Sequence, residues 1–192
     1  MSAIASMRAA TWPSHQRLEK ALDMGARLSS IHGYRTYLER MWGFCSGLER
    51  RLELTLGERA LPDYASRRKL PMLGADLTAL GADEFLLQAL PSCERLPDCA
   101  DLAASFGSAY VLEGATLGGR TMLPLIHKRL GLTPQHGAAF FASYGQNVTE
   151  MWSVFGAAFD DWCAQPEARA SAATAALATF DALNDWLCGG RA

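Results

Sequence analysis

The chain has 192 residues with 49% apolar and 20% charged side chains, and its formal net charge is −2. This composition predicts one folded globular domain, over residues 1–192, that is large enough for a substantial core. The near-neutral charge argues against binding to nucleic acid or to a membrane surface, and no apolar run approaches the length of a transmembrane helix. The N-terminus lacks a basic-then-apolar signal pattern, so the cytoplasm is the expected location.

The cysteines predict free thiols rather than cross-links. There are five of them, an odd number, and the sequence contains no Cys-x-x-Cys motif. A disulfide framework and a structural zinc site are therefore both disfavoured. Reduced and mostly buried thiols are expected at Cys45, Cys93, Cys99, Cys163 and Cys188.

Nearly every segment has a helical composition, because Ala, Leu, Arg and Glu dominate and β-branched residues are scarce. Thr11 is the predicted N-cap of the first helix, with Pro13 in its first turn. A long helix is predicted from Tyr34 to Leu56, where apolar residues recur at helical spacing before Gly57. Proline and glycine interrupt the segment that follows, in which short helices are predicted near residues 63–70, 73–80 and 83–89.

The second half of the chain predicts three more helices. One runs from about Asp98 to about Leu130, contains several glycines and is expected to kink near Gly118–Gly119. The next begins at Thr133–Pro134 and runs to Cys163, and the last begins at Pro166. The prediction is therefore an all-α protein made of a single compact multi-helix domain.

The only concentrated basic run is Arg67-Arg68-Lys69. Such runs usually form a solvated face, and that is the expectation here. Docking of an acidic electron-transfer protein is the alternative.

The stretch Tyr110–Gly119 has the sequence YVLEGATLGG and lies inside a helical pattern that also includes Gly107. Each interior glycine costs about 0.5–1 kcal/mol relative to alanine, so some gain elsewhere should offset the loss. Tyr110, Gly114 and Gly118 are four residues apart and share one helix face, where the bare backbone would let a flat molecule approach closely. Close packing of another helix against these small residues is the alternative, and from this stretch alone it is favoured.

Among the histidines, His15 differs from His32, His127 and His136 because a carboxylate, Glu19, lies one helical turn after it. Glu19 could accept the Nδ1–H of His15 and leave Nε2 free to bind a metal, as haem-ligating histidines are commonly oriented. The alternative is an ordinary pair on a helix surface, contributing about 0.3 kcal/mol. A haem held between this imidazole and the glycine face would account for both signals.

At these positions the chain resembles a known family. The segment from Thr11 through His15 to Glu19, with Arg8 upstream, resembles the proximal segment of haem oxygenases. The Tyr110–Gly119 stretch resembles the distal helix of their bacterial branch, and the segment Phe141–Gly145 resembles a later helix. The resemblance spans nearly the whole chain and is closest to the bacterial enzymes that supply biliverdin to phytochromes.

The resemblance implies a haem sandwiched between an N-terminal proximal helix and a glycine-rich, kinked distal helix. His15 would be the iron ligand and Glu19 the residue that orients it. Gly114 and Gly118 would be the catalytic distal glycines. The other implied cofactor-binding residues are Arg8 and Tyr110 at the propionates and Gly119 where the distal helix bends.

The implied activity is O2- and reductant-dependent cleavage of haem to biliverdin, carbon monoxide and ferrous iron. No flavin or nicotinamide motif is visible, so electrons would come from an external ferredoxin or flavoprotein reductase, and a bacterial phytochrome would accept the biliverdin. Animal members carry an aspartate after the first distal glycine, whereas this chain has Ala115, so other groups or ordered water would deliver protons.

Three alternatives use a similar architecture. The first is a non-enzymatic haem carrier or sensor, which would leave the haem intact. The second is an unrelated all-α enzyme, such as a thiamin-degrading or quinone-cofactor-forming type, which would not need His15 paired with Glu19. The third is a helical interaction domain, in which the glycine face packs against a helix and no haem binds.

Overall fold

The structure is a computed structural model that describes residues 2–189, with the side chains of residues 58 and 59 not included. Its α-helices are α1 (Ala3–Leu22), α2 (Met24–Arg27), α3 (Ile31–Thr55), α4 (Gly57–Ala60), α5 (Tyr64–Arg67), α6 (Leu70–Ala79), α7 (Glu84–Ala89), α8 (Leu102–Leu130), α9 (Ala139–Ala142), α10 (Val148–Trp162) and α11 (Pro166–Cys188), and a 3₁₀ helix spans Gly145–Asn147. Over residues 2–189 the only β-type pairings are isolated bridges from Thr133 to His136 and Gly137. The predicted all-α fold is confirmed.

The first helix begins earlier than predicted. Its N-cap is Ser2, whose hydroxyl accepts a hydrogen bond from the Ala5 amide at 3.3 Å. Thr11 lies inside the helix, where its hydroxyl donates to the Met7 carbonyl at 2.9 Å. Pro13 is also internal, and it removes one amide from the helical ladder without ending the helix. The prediction of Thr11 as N-cap is wrong because Ser2 offers the same cap to a longer helix.

The long helix predicted over residues 34–56 is α3, which begins at Ile31 and ends at Thr55. Ser30 caps it by accepting a hydrogen bond from the Gly33 amide at 3.0 Å. The short helices predicted after it correspond to α5, α6 and α7, and the structure adds the single turn of α4. This part of the fold follows from apolar periodicity and from glycine and proline breaks.

The centre of the fold is α8, around which α3, α9, α10 and α11 pack. Every residue from 103 to 113 is buried. The backbones of α8 and α11 approach each other closely at Gly107, where an added Cβ would overlap the carbonyl of Ala172. The helix is uninterrupted across Gly118–Gly119, so the kink expected there stays a prediction.

The helix predicted from Thr133 to Cys163 is wrong, because it is broken into α9, a 3₁₀ turn and α10. Two residues between α9 and α10 have positive φ, 47° at Ser143 and 57° at Gly145. An α-helix cannot continue through such left-handed residues. The break leaves α9 as a short element lying against α8 and α6.

The described helices share one hydrophobic core that draws residues from both ends of the chain. None of them, over the residues that the structure describes, is both long and apolar enough to cross a membrane. The ends of the predicted domain, residues 1 and 192, lie outside the described residues. One domain over residues 1–192 therefore stays a prediction.

All five cysteines are free, as expected, and they should differ in reactivity. Cys45, Cys93, Cys99 and Cys163 are buried, and burial raises the pKa of each thiol, to about 11 for Cys163. Because the thiolate is the reactive form, iodoacetamide at pH 8 should modify the half-buried Cys188 first. Mass mapping of the labelled native protein, with a denatured sample as control, checks the order. Fast native labelling of Cys45 would contradict this placement.

Candidate active site

His15 lies in the middle of α1 with its ring held from two sides. The Trp12 ring stacks on it with centroids 5.5 Å apart and planes at 10°, and Phe180 of α11 meets it edge-on at 6.1 Å. Its Nδ1 lies 3.5 Å from the Glu19 carboxylate, and this buried nitrogen has no closer hydrogen-bond partner. The His15 side chain as a whole remains 41% exposed. The ring is therefore fixed in plane while one edge stays open.

The glycines of α8 fall into two pairs with different surroundings. At Gly107 and Gly119 an added Cβ would press on the backbone of another helix, at Gly119 on the Phe141 carbonyl oxygen at 3.0 Å. At Gly114 and Gly118 an added Cβ would meet no atom within 4 Å. Helix packing thus explains the first pair and leaves the second pair unexplained, facing open space.

The α1 and α8 helices meet one turn before His15 and Gly114. The Thr11 and Tyr110 hydroxyl oxygens lie 3.5 Å apart, a long but buried contact. The Tyr110 ring packs against two rings of α10, Trp152 at 5.8 Å and Phe159 at 6.3 Å between centroids, and these contacts fix its position. His15 and Gly114 each lie four residues further on, about 6 Å along their helices.

Both helices run in the same direction beside α11. On α8, Asp101 pairs with Ser171, and Ser108 accepts a hydrogen bond from Thr179 at 3.0 Å. On α1, the Ile4 amide donates to Asp160, just before the start of α11, whereas Arg17 pairs with Asp181, well along α11. Because the two helices run in the same direction, His15 and Gly114 lie on the same side of the Thr11–Tyr110 contact, at the same end of the fold.

A buried group of charges lies next to the open glycine. Glu113 accepts hydrogen bonds from Arg67 Nη1 at 2.6 Å, from Lys69 Nζ at 2.7 Å and from the Tyr144 hydroxyl at 2.6 Å. The relative exposures of Glu113, Arg67 and Lys69 are only 4%, 3% and 2%. Burial first, and the Glu113 charge second, raise the pKa of Tyr144, so this hydroxyl stays protonated and donates. These four residues are called the Glu113 cluster.

The expectation that Arg67-Arg68-Lys69 forms a solvated face is wrong for two of its members. Arg67 also pairs with Asp63 at 2.6 Å, and the Lys69 backbone amide donates to the buried carboxylate of Glu49. Arg68 stays 34% exposed and pairs with Glu49 at 3.2 Å. Arg67 and Lys69 are buried because Glu113, far away in sequence, pairs with both and compensates their loss of hydration.

Comparison with known proteins identifies the architecture. The family model described as "Heme oxygenase" matches residues 1–188 of the chain. The chain belongs to the haem oxygenase family. Membership of this family makes the protein an enzyme that degrades haem.

A similar haem oxygenase comes from Xanthomonas campestris pv. campestris (strain 8004). It is 31% identical over 150 residues, which cover 77% of this chain and 84% of that protein.

Solved haem oxygenase structures share the fold. The NO- and CO-bound haem oxygenase of Neisseria meningitidis matches with a TM-score of 0.79 at 18% identity, covering 100% of this chain and 94% of that one. The haem oxygenase of Leptospira interrogans gives a TM-score of 0.79 at 15% identity, covering 99% and 100%. Haem oxygenase 2 of Chlamydomonas reinhardtii, solved without haem, gives 0.73 at 20% identity, covering 97% and 96%.

The residues present in this haem oxygenase fit a haem. The open space over Gly114 and Gly118 is the kind that a flat ring can enter against bare backbone. Leu117, next to Gly118 on α8, is 41% exposed, and Trp12, which stacks on His15, is 47% exposed. His15, beside Trp12, offers an imidazole with one edge open.

The other residues predicted from sequence lie in different settings. Arg8 is exposed on α1, two turns before His15. Tyr110 is 8% exposed, with its hydroxyl beside Thr11. Gly119 faces α9 rather than the open side of α8. The Thr11–Tyr110 contact and the shared helix direction bring His15, Tyr110 and Gly114 to one end of the fold, and the haem contacts of all the predicted site residues stay predictions.

The sequence interpretation missed the Glu113 cluster. One signal could have pointed to it: Glu113 is the only charged residue between 102 and 119. A lone carboxylate in an apolar helix requires a buried cationic partner. The partner itself could not be chosen from sequence, because Arg67 and Lys69 lie 46 and 44 residues away.

Proposed function

We propose that the protein binds haem between α1 and α8, with His15 on the iron, and opens it by O2- and reductant-dependent cleavage to biliverdin, carbon monoxide and ferrous iron. The observation that carries this proposal is the open space over Gly114 and Gly118, at the same end of the fold as His15. When bound, haem supplies both the ring to be oxidised and the iron that activates oxygen.

His15 acts as a neutral ligand whose tautomer is set by Glu19. The carboxylate lies 3.5 Å from Nδ1, and closing this distance to a hydrogen bond would place the proton on Nδ1 and leave the Nε2 lone pair for the iron. Stacking with Trp12 and the edge contact with Phe180 hold the ring plane. A neutral imidazole lacks the electron push of a thiolate, which suits oxidation of the ring itself.

Gly114 and Gly118 let the α8 backbone lie over the haem face without a Cβ between them. The close backbone restricts where a small ligand can sit and excludes bulk water from that side. Leu117, which is 41% exposed, adds an apolar wall next to Gly118. The chain's own contribution to selectivity is therefore steric, from the backbone of α8.

The propionates are assigned to Arg8 and Tyr110. Arg8 is an exposed cation on the same helix as His15 and can reach a carboxylate at the edge of the site. The Thr11 proton is donated to the Met7 carbonyl, and the Tyr110 hydroxyl has only a long, 3.5 Å contact with Thr11, so the Tyr110 proton can turn to a propionate. The expected role of Gly119 is to support α8 where it passes α9.

The partners are inferred from the resemblance to the bacterial enzymes that supply biliverdin and from the lack of a flavin or nicotinamide motif in the sequence. Electrons come from a separate ferredoxin or flavoprotein reductase, and biliverdin passes to a bacterial phytochrome. The free cysteines fit a reducing compartment, which supports the expected cytoplasmic location.

Haemin titration followed by reduction tests the proposal. The apoprotein should take up one equivalent of haemin and give the spectrum of a histidine-ligated ferric haem. Adding an electron donor in air, with catalase present to remove free peroxide, should then replace the haem bands with bilin absorbance. A haem that stays intact under these conditions would favour a carrier or sensor, and no uptake at all would favour an interaction domain.

A further inference from the structure

The Glu113 cluster ties α8 to three other parts of the fold. Arg67 ends α5, Lys69 immediately precedes α6, and Tyr144 lies between α9 and the 3₁₀ helix. Arg67 also donates to the carbonyl of Met151 in α10 at 3.1 Å. Lys69 donates to the Tyr144 hydroxyl at 2.6 Å, so the groups around Glu113 also bind one another. A shift of α8 at Glu113 would break several buried charged contacts together.

The cluster holds a different side of α8 from the one that faces the open space. Successive residues of an α-helix are turned by about 100°, so the Glu113 side chain leaves α8 in a different direction from the missing side chain of Gly114. Glu113 is buried among protein groups, whereas nothing lies within 4 Å of a Cβ added at Gly114. One residue thus anchors the helix immediately beside the glycine that faces the site.

The glycine segment needs such an anchor. Glycines leave a helix poorly restrained, and around Gly114 and Gly118 no side chain packs on the open side. The close backbone contacts at Gly107 and Gly119 lie about 10 Å and about 8 Å along the helix from Gly114. Glu113 is the only charged residue from 102 to 119, and it supports the stretch of α8 between Gly107 and Gly119.

We propose that Glu113 is a positioning residue for haem cleavage: held by Arg67, Lys69 and Tyr144, it sets the height of the Gly114 backbone over the ring. The proposal rests on the haem site described under Proposed function, but its first consequence concerns the protein without haem. The Gly114–Gly118 backbone should be held in place in the apoprotein, ready for the ring.

Glu49 provides a matched control for Glu113. Glu49 is 2% exposed, accepts hydrogen bonds from Arg68 and from the Lys69 amide, and belongs to α3. Within the described residues it makes no hydrogen bond or ion pair to α8. The variants Glu113→Gln and Glu49→Gln therefore make the same chemical change in two buried carboxylates, and only Glu113 belongs to the glycine helix.

Hydrogen exchange of the apoprotein is the test. Glu113→Gln should raise exchange of the amides at 114–118 by about tenfold more than exchange of the α3 and α11 core amides. Glu49→Gln should lower the melting temperature without this local effect. Tyr144→Phe removes one hydrogen-bond donor to Glu113 and leaves both ion pairs, so it should raise exchange of the same amides by a smaller factor. This variant keeps the test usable if Glu113→Gln folds poorly.

A second measurement uses the haem complexes. In Glu113→Gln and Tyr144→Phe, the ratio of biliverdin isomers and the stretching frequency of bound CO should shift from wild type, whereas Glu49→Gln should match wild type. Exchange that rises evenly across the chain in all three variants would show a structural role alone and overturn the proposal. Failure of the wild type to degrade haem would instead count against the proposed function, and the apoprotein exchange would be unaffected by it.

Discussion

Replacing His15 with alanine is expected to abolish haem turnover and the spectrum of a histidine-ligated ferric haem. Loss of a residue that only orients a metal ligand typically costs about 10–100-fold, so loss of the ligand itself should cost more than about 100-fold. The fold should survive, because the His15 side chain is 41% exposed and its aromatic contacts with Trp12 and Phe180 contribute about 1 kcal/mol. Absorption spectra of the haemin complex and bilin formation under reductant measure the two effects.

His32 serves as the control for this variant. It is an exposed histidine near the start of α3, away from the contacts of His15, so His32→Ala should keep wild-type spectra and turnover. Circular dichroism of both apoproteins should show the same helical content. A His15→Ala protein that still binds haem through a histidine and degrades it would remove His15 from the iron.

The sequence predicted the helices that carry the candidate site because their patterns are local. The apolar stripe of α3 lies within one helix and predicted it, whereas the serine caps of α1 and α3 are equally local but were not predicted. His15 and Glu19 are one turn apart on a single helix, so their pairing needs no tertiary information. Local signals were sufficient for these elements.

Apart from the N-cap of α1, the parts that were predicted wrongly depend on distant partners. The start of α9 is fixed by Asp76, whose carboxylate accepts hydrogen bonds from the Ala139 and Phe140 amides at 2.7 and 2.8 Å. Nothing near residue 139 shows that this cap exists. Arg67 likewise becomes a buried residue only because Glu113 lies against it. Apolar periodicity has no access to such contacts.

The glycines of α8 show the same limit within one helix. By sequence, Gly107, Gly114, Gly118 and Gly119 are equivalent breaks in a helical pattern, and packing was favoured for the stretch. The structure separates them, because two lie against other backbones and two face open space. The separation depends on where α9 and α11 lie, which is a property of the tertiary fold.

Replacing Gly114 with valine should block the site while leaving the apoprotein folded. No atom lies within 4 Å of an added Cβ, so the new Cβ meets no clash. Valine is less unfavourable than glycine inside a helix, so the substitution should stabilise the apoprotein by a few tenths of a kcal/mol. With haem bound, the isopropyl group would occupy the space above the ring. The affinity of the ferrous complex for CO should fall by at least about tenfold, which corresponds to about 1.4 kcal/mol.

Gly107→Ala should show the opposite pattern and is the control. Its single added methyl group would overlap the Ala172 carbonyl, so the helices must separate, at a cost of about 1–3 kcal/mol. For a chain of this size the melting temperature should then fall by about 2–4 °C per kcal/mol. Because the Gly107 contact faces α11, the folded fraction should bind CO with wild-type affinity. Thermal melts of the apoproteins and CO titrations of their haem complexes test both predictions. Wild-type CO affinity in Gly114→Val would show that Gly114 does not face the ring. In that case α8 would be a packing helix along its whole length.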